Sequence, residues 1–87
     1  MKTQITATAP TNYQLQSLRA FGMPIVSNGN GSYTATQEFE SKEDAVEYLK
    51  DRAHMYFDFE EIEEAMADIT TANMLTIDAV TAYIETI

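Results

Sequence analysis

The sequence contains no cysteine. No disulfide can brace the fold, and neither a thiolate nucleophile nor a thiolate metal site is available. Basic residues are scarce: five Lys and Arg stand against 14 Asp and Glu, with one histidine, for a net charge of −9. Direct binding to nucleic acid is not expected from such a chain, because phosphate contacts need clustered Lys and Arg to release counterions. Long apolar runs are missing too. No stretch approaches the roughly 18 residues of a membrane span, and the start MKTQITATAPTN lacks the apolar segment of a secretory signal. A soluble, cytoplasmic protein without membrane contact is the expectation. Asn30-Gly31-Ser32 matches a glycosylation acceptor, but no secretion signal accompanies it.

With 87 residues the chain reads as a single domain, 1–87. A domain of this size buries only about 60 to 65% of the surface its unfolded form exposes. It can build one core and little else, which leaves no room for a deep active site.

What is present is acid, unevenly placed. Residues 1–37 carry Lys2 and Arg19 and no acid, whereas residues 38–87 hold all 14 acids against Lys42, Lys50 and Arg52. The stretch DFEEIEEAMAD, Asp58 to Asp68, packs six carboxylates into eleven positions without a base. The electrostatic expectation is a basic partner.

Along the chain, TQITAT (Thr3 to Thr8) alternates Ile5 and Ala7 with polar residues and predicts a strand, ended by Pro10. Thr11 and Gln14 form a capping box, and Leu15, Leu18 and Phe21 recur at helical spacing, so a helix is expected over 12–21, closed by Gly22 and Pro24. PIVSNGNGSYTATQEFES places two strand-like runs around two Asn-Gly pairs, a tight hairpin signal; Tyr33, Ala35, Gln37 and Phe39 share one face. A phosphate-binding reading of these glycines fails for want of the following Lys and Ser/Thr. Ser41 caps a second helix whose buried stripe is Val46, Leu49, Ala53 and Tyr56, with Glu47, Lys50, Asp51 and His54 on the wet side. His54, alone and unpartnered, reads as a surface residue rather than a base or ligand.

Asp58, with Glu61 at the reciprocal position, caps a third helix whose core face is Phe59, Ile62, Met66 and Ile69. At 100° per residue Glu60, Glu64 and Asp68 stack on the opposite face, with Glu61 beside them. These four are the candidate protein-binding residues. A solvated face is the plain alternative, since most charge runs on helices are that. Against it stands the missing counter-charge: Glu60 with Glu64, and Glu64 with Asp68, each cost roughly 0.2 to 0.5 kcal/mol, about what a Glu–Lys pair would gain. Carboxylates at successive turns also resemble the spacing of phosphates along a strand, the geometry of a nucleic-acid mimic. A calcium loop is not indicated, because the run has helical periodicity and no glycine. No catalytic, cofactor or metal motif is present, and no enzymatic activity is expected.

The tail MLTIDAVTAYIETI reads two ways. As a helix capped by Thr76 it would bury Ile77, Val80, Ile84 and Ile87; as a strand it offers β-branched and aromatic residues that favour a pleated surface. Topology favours the strand over a helical 76–87. The expected class is α+β, an antiparallel sheet with helices on one face in the order βαββααβ, the split βαβ plan of ferredoxin-like folds with the acidic helix inserted and the tail paired to Thr3–Thr8.

That plan hosts unrelated tasks, so function rests on the surfaces. The leading expectation is a non-catalytic protein-protein interaction module docking on a basic surface of a larger protein. Its sharpest form is an inhibitor of a nucleic-acid-binding groove. In size and acidity the chain is similar to small phage or mobile-element inhibitors, anti-CRISPR proteins among them, though no motif specific to them is present. The second expectation is a homodimer or strand-pairing module using the uncharged half around Tyr13, Arg19 and the hairpin. The third is a small ligand-binding domain or enzyme, whose sign would be a formed pocket with convergent polar groups.

Overall fold

Alternation decides the first element. Thr3, Ile5, Ala7 and Ala9 of strand β1 (Thr3–Ala9) are buried while Gln4, Thr6 and Thr8 between them are half-exposed, so the strand has one covered face and one open face. The computed structural model describes residues 2–87 except for the side chains of Phe59, Met66, Asp68, Thr70 and Thr71.

The expected helix over 12–21 is divided into a 3-10 turn at Asn12–Gln14 and helix α1 (Leu15–Ala20). Thr11 Oγ1 accepts from the Tyr13 amide at 3.3 Å, and its hydroxyl donates to the Gln14 side-chain carbonyl. Thr11 and Gln14 thus meet side chain to side chain rather than side chain to backbone, and the tighter first turn is closed by the Gln14 amide donating to the Thr11 carbonyl at 3.3 Å. Gly22 takes φ +72° beyond the helix end, where its amide bonds the Arg19 carbonyl at 3.0 Å.

Strands β2 (Ile25–Ser27) and β3 (Tyr33–Phe39) form the expected hairpin, but around a wide loop. The Asn28 amide bonds the Ser32 carbonyl at 3.0 Å, and Gly29 and Gly31 take the positive φ angles in place of a two-residue Asn-Gly turn. The Asn28 side-chain amide ties Ser32 and Thr34 at 2.9 and 3.0 Å, which makes the wider loop a bonded one.

Helix α2 (Lys42–Tyr56) starts at Ser41, whose Oγ accepts from the Asp44 amide at 3.2 Å. Its buried stripe is Ala45, Leu49 and Ala53, with Val46 half-buried at its margin. Tyr56, expected in the core, is 59% exposed. The next residue takes its place: the backbone turns extended at Phe57, whose ring packs 6.0 Å from that of Phe21. Helix α3 (Phe59–Ala72) buries Ile62, Ala65 and Ile69 and ends at Asn73 in the left-handed conformation. The expected core positions Phe59 and Met66 fall outside the described side chains.

The tail is neither a helix nor one strand. Met74–Ile77 (β4) and Val80–Thr86 (β5) form a hairpin over Asp78 and Ala79, both at positive φ, and the element order is β-α-β-β-α-α-β-β. Strand β5 pairs antiparallel with β1 from Thr3 opposite Thr86 to Thr8 opposite Thr81, as the tail was expected to do. The sheet order is β2-β3-β1-β5-β4, antiparallel throughout, with β4 added outside the expected last strand. The result is a small α+β domain.

Alanine sets the spacing between layers. Ala35, Ala7 and Ala82 lie opposite one another across β3, β1 and β5, all fully buried, beneath an α2 whose own inner face is Ala45, Leu49 and Ala53. Small side chains on both surfaces let helix and sheet approach closely. Among the described residues no helix is long and apolar enough to cross a membrane.

Candidate functional site

Helix α3 forms because its apolar residues Ile62, Ala65 and Ile69, spread over about two turns, find a core to cover. Its polar side is then fixed by geometry. At 100° per residue Glu63, Glu60, Glu64 and Glu61 spread over roughly 160° of the helix circumference, centred opposite the buried stripe. All four are exposed. Three of the expected site residues, Glu60, Glu61 and Glu64, therefore share one outward band; the fourth, Asp68, lies outside the described side chains. Glu63 belongs to the band although the stacking argument passed over it, since a broad arc catches residues that a single i, i+4 row does not.

The helix start differs from expectation. Asp58 stands at the N-cap position with extended backbone, but its side chain makes no cap bond; its carbonyl accepts from the Ile62 amide at 3.1 Å. Glu60 and Glu61 in the first turn lie near the positive end of the helix dipole, which offsets part of their mutual repulsion.

The α3 band is continuous with a second source of charge. A shallow hollow between α3 and the β4–β5 turn is lined by Glu61, Glu64, Ala65, Thr76, Ile77 and Asp78. Asp78 was not a candidate, because the hairpin that carries it to α3 was not foreseen. Its carboxylate accepts from the Ser17 hydroxyl at 3.3 Å. Among the described residues no group of three or more His, Asp and Glu side chains is placed to hold a metal ion.

Cations do not balance this side. Among the described residues the one ion pair within 4 Å joins Lys2 to Glu38 at 3.9 Å, away from α3. Arg52 on α2 is engaged elsewhere: its guanidinium lies 5.8 Å from the centre of the Tyr48 ring. The Tyr48 side chain, as hydrogen-bond acceptor and then as charge, raises the Arg52 pKa above its ordinary value. Tyr48 in turn donates to the Phe21 carbonyl, so α2 is clasped to the end of α1. His54 is exposed on α2, as its position in the wet face implied.

The residues of the second expectation are spread apart in kind. Tyr13 is 92% exposed on the 3-10 turn, Arg19 is exposed in the last turn of α1, and Tyr33 on the hairpin donates to Asn12 Oδ1 at 2.6 Å. The uneven charge of the sequence becomes an uneven charge of faces: the helical layer carries the acids of α2 and α3, and the open face of the sheet carries mainly threonine. No family model, curated protein or solved structure matches the chain.

Proposed function

We propose that this chain is a small non-catalytic interaction module that docks through the outer face of α3 onto a basic surface of a larger protein. The observation that carries the reading is the exposed band of Glu60, Glu61, Glu63 and Glu64 on a helix, Phe59–Ala72, that contains no base. Glu60 and Glu64 are one turn apart and repel by roughly 0.2 to 0.5 kcal/mol, a penalty that one Lys in place of either would reverse. A face that is purely solvating gains nothing from that arrangement, because mixed charges keep a helix soluble equally well. Electrostatic docking does gain from it: a one-sign surface speeds encounter with an oppositely charged partner and selects against others.

The sharper form of the proposal is an inhibitor that fills a nucleic-acid-binding groove. Carboxylates one helical turn apart, about 5.4 Å, offer such a groove a row of anions that its Arg side chains can grip in pairs. The test is binding by the chain and by its Glu60→Lys, Glu61→Lys, Glu64→Lys triple variant to basic proteins captured from its native host. Loss of binding by a folded variant supports the proposal, and undiminished binding refutes it.

A further inference from the structure

The face of the sheet away from the helices is an ordered, nearly uncharged lattice that meets the acidic hollow only at Thr76, on its β4 edge. Strand register aligns Val26, Thr34, Thr8, Thr81 and Thr76 in one row across all five strands. A second row runs Thr36, Thr6, Tyr83 and Met74, and a third Glu38, Gln4 and Glu85. The first two rows contain no charge. Val26 and Tyr83 are 66% and 45% exposed, so apolar surface stands at one edge and near the centre. Charge enters only in the third row, at the rim, where Lys2 pairs with Glu38 at 3.9 Å.

We infer that this face is where a second copy of the chain binds, sheet against sheet about a two-fold axis. Three arguments select a second copy as occupant. First, a two-fold interface joins a surface to itself, so its chemistry must be self-complementary. Threonine hydroxyls both donate and accept and satisfy that condition, whereas a carboxylate band never does. Second, each copy carries −9, and the helical layer holds most of the acid, so approach through that layer brings like charges together, which the open sheet face largely avoids. Third, the first two rows are free of charge and include Tyr83 on β5 and Met74 on the β4 edge, residue types enriched in interface cores, with the acids confined to the third row.

Area bounds the strength. Five strands at about 4.8 Å and three rows at about 7 Å, with side-chain margins, give a face of roughly 500 Å² per copy, or about 1,000 Å² in the pair. That is the low end of specific interfaces, so a reversible, concentration-dependent dimer is expected rather than a permanent one. Salt dependence separates this contact from docking by α3. Screening relieves the repulsion between two −9 chains and should tighten the dimer, whereas attraction to a basic partner weakens as salt rises.

The test is sedimentation equilibrium of the chain from about 10 to 500 μM at roughly 0.05 and 0.5 M NaCl. The expected result is a monomer–dimer equilibrium that shifts toward dimer at the higher salt. Thr36→Glu, which sets two like charges near the axis, should weaken it at least about tenfold, and Thr36→Lys should do the same although it lowers the net charge. Glu63→Lys on α3 should leave the dimer intact. A chain that is monomeric throughout overturns the inference, as does a Thr36 variant with unchanged circular dichroism that dimerises like the original.

Discussion

Arg52 roofs Gly22. A Cβ built on Gly22 would stand 1.8 Å from Arg52 Nη2 and 2.5 Å from the guanidinium carbon, and the glycine itself sits at φ +72°. Two demands therefore meet at one residue: a left-handed backbone to stop α1, and space for a guanidinium that rests on Tyr48. The left-handed conformation alone makes Gly22→Ala cost about 1 to 2 kcal/mol. Gly29 has φ +85° and nothing within 4 Å of its added Cβ, so Gly29→Ala incurs the backbone strain without the displacement. Because the guanidinium ends a flexible side chain that can swing aside, urea unfolding should show Gly22→Ala losing only slightly more than Gly29→Ala, with the excess gone when Arg52 is also replaced by alanine.

The β4–β5 turn is suboptimal, and glycine should improve it. Asp78 and Ala79 take φ +50° and +64°, the pattern of a two-residue hairpin turn in which Asn-Gly or Asp-Gly is preferred. An alanine there bears a left-handed strain that glycine does not. Ala79→Gly should raise stability by about 1 kcal/mol, net of the extra freedom glycine gives the unfolded chain, read from the denaturation midpoint.

This turn also shows where the sequence stopped being legible. The pair Asn28-Gly29 announced a hairpin because glycine declares positive φ, whereas Asp78-Ala79 demands the same backbone without declaring it. The tail therefore read as one element, β4 was missed, and Asp78 was not placed beside Glu61 and Glu64. The pairing of β5 with β1 was legible because the strand order of a split βαβ plan leaves the last strand no other position. On α3, the band followed from periodicity alone, since Glu60, Glu61 and Glu64 needed only a helix and a core on its far side. Tyr56 was misplaced for the opposite reason: helical spacing cannot see that the chain leaves the helix there and turns Phe57 inward.

The two helix caps should differ in worth. Ser41 Oγ accepts from the Asp44 amide at 3.2 Å, and Ser41→Ala should cost about 1 kcal/mol. Asp58 makes no such bond, so Asp58→Ala should change stability by less than about 0.5 kcal/mol. Equal losses for both in thermal or urea melts would contradict the assigned caps.

Close packing of α2 on the sheet predicts intolerance to added bulk. Ala7 is fully buried between Ala35 and Ala82 under the helix, so Ala7→Leu should cost about 1 to 3 kcal/mol or more through overpacking. Thr6→Val, one residue along on the open face, should be close to neutral. Chemical denaturation of the two variants measures the contrast.

Charge reversal on α3 should separate stability from binding. Glu64→Lys converts a repulsive Glu60–Glu64 pair into an attractive one, and its unfolding midpoint should move upward by roughly the equivalent of 0.5 to 1 kcal/mol. If the acids only solvate, the variant is better in every respect. If they dock, it is more stable and binds less, the trade-off expected where a surface is held for function.

The most direct measurement passes a lysate of the native host over the immobilised chain and, in parallel, over the Glu60→Lys, Glu61→Lys, Glu64→Lys variant, with elution by rising salt. The account predicts a basic protein retained by the original, released at moderate salt, and missing from the variant, whose purified complex with the original weakens steeply with ionic strength. Equal retention on both columns, or none on either at physiological salt, would contradict it and leave the α3 band a solvated helix face.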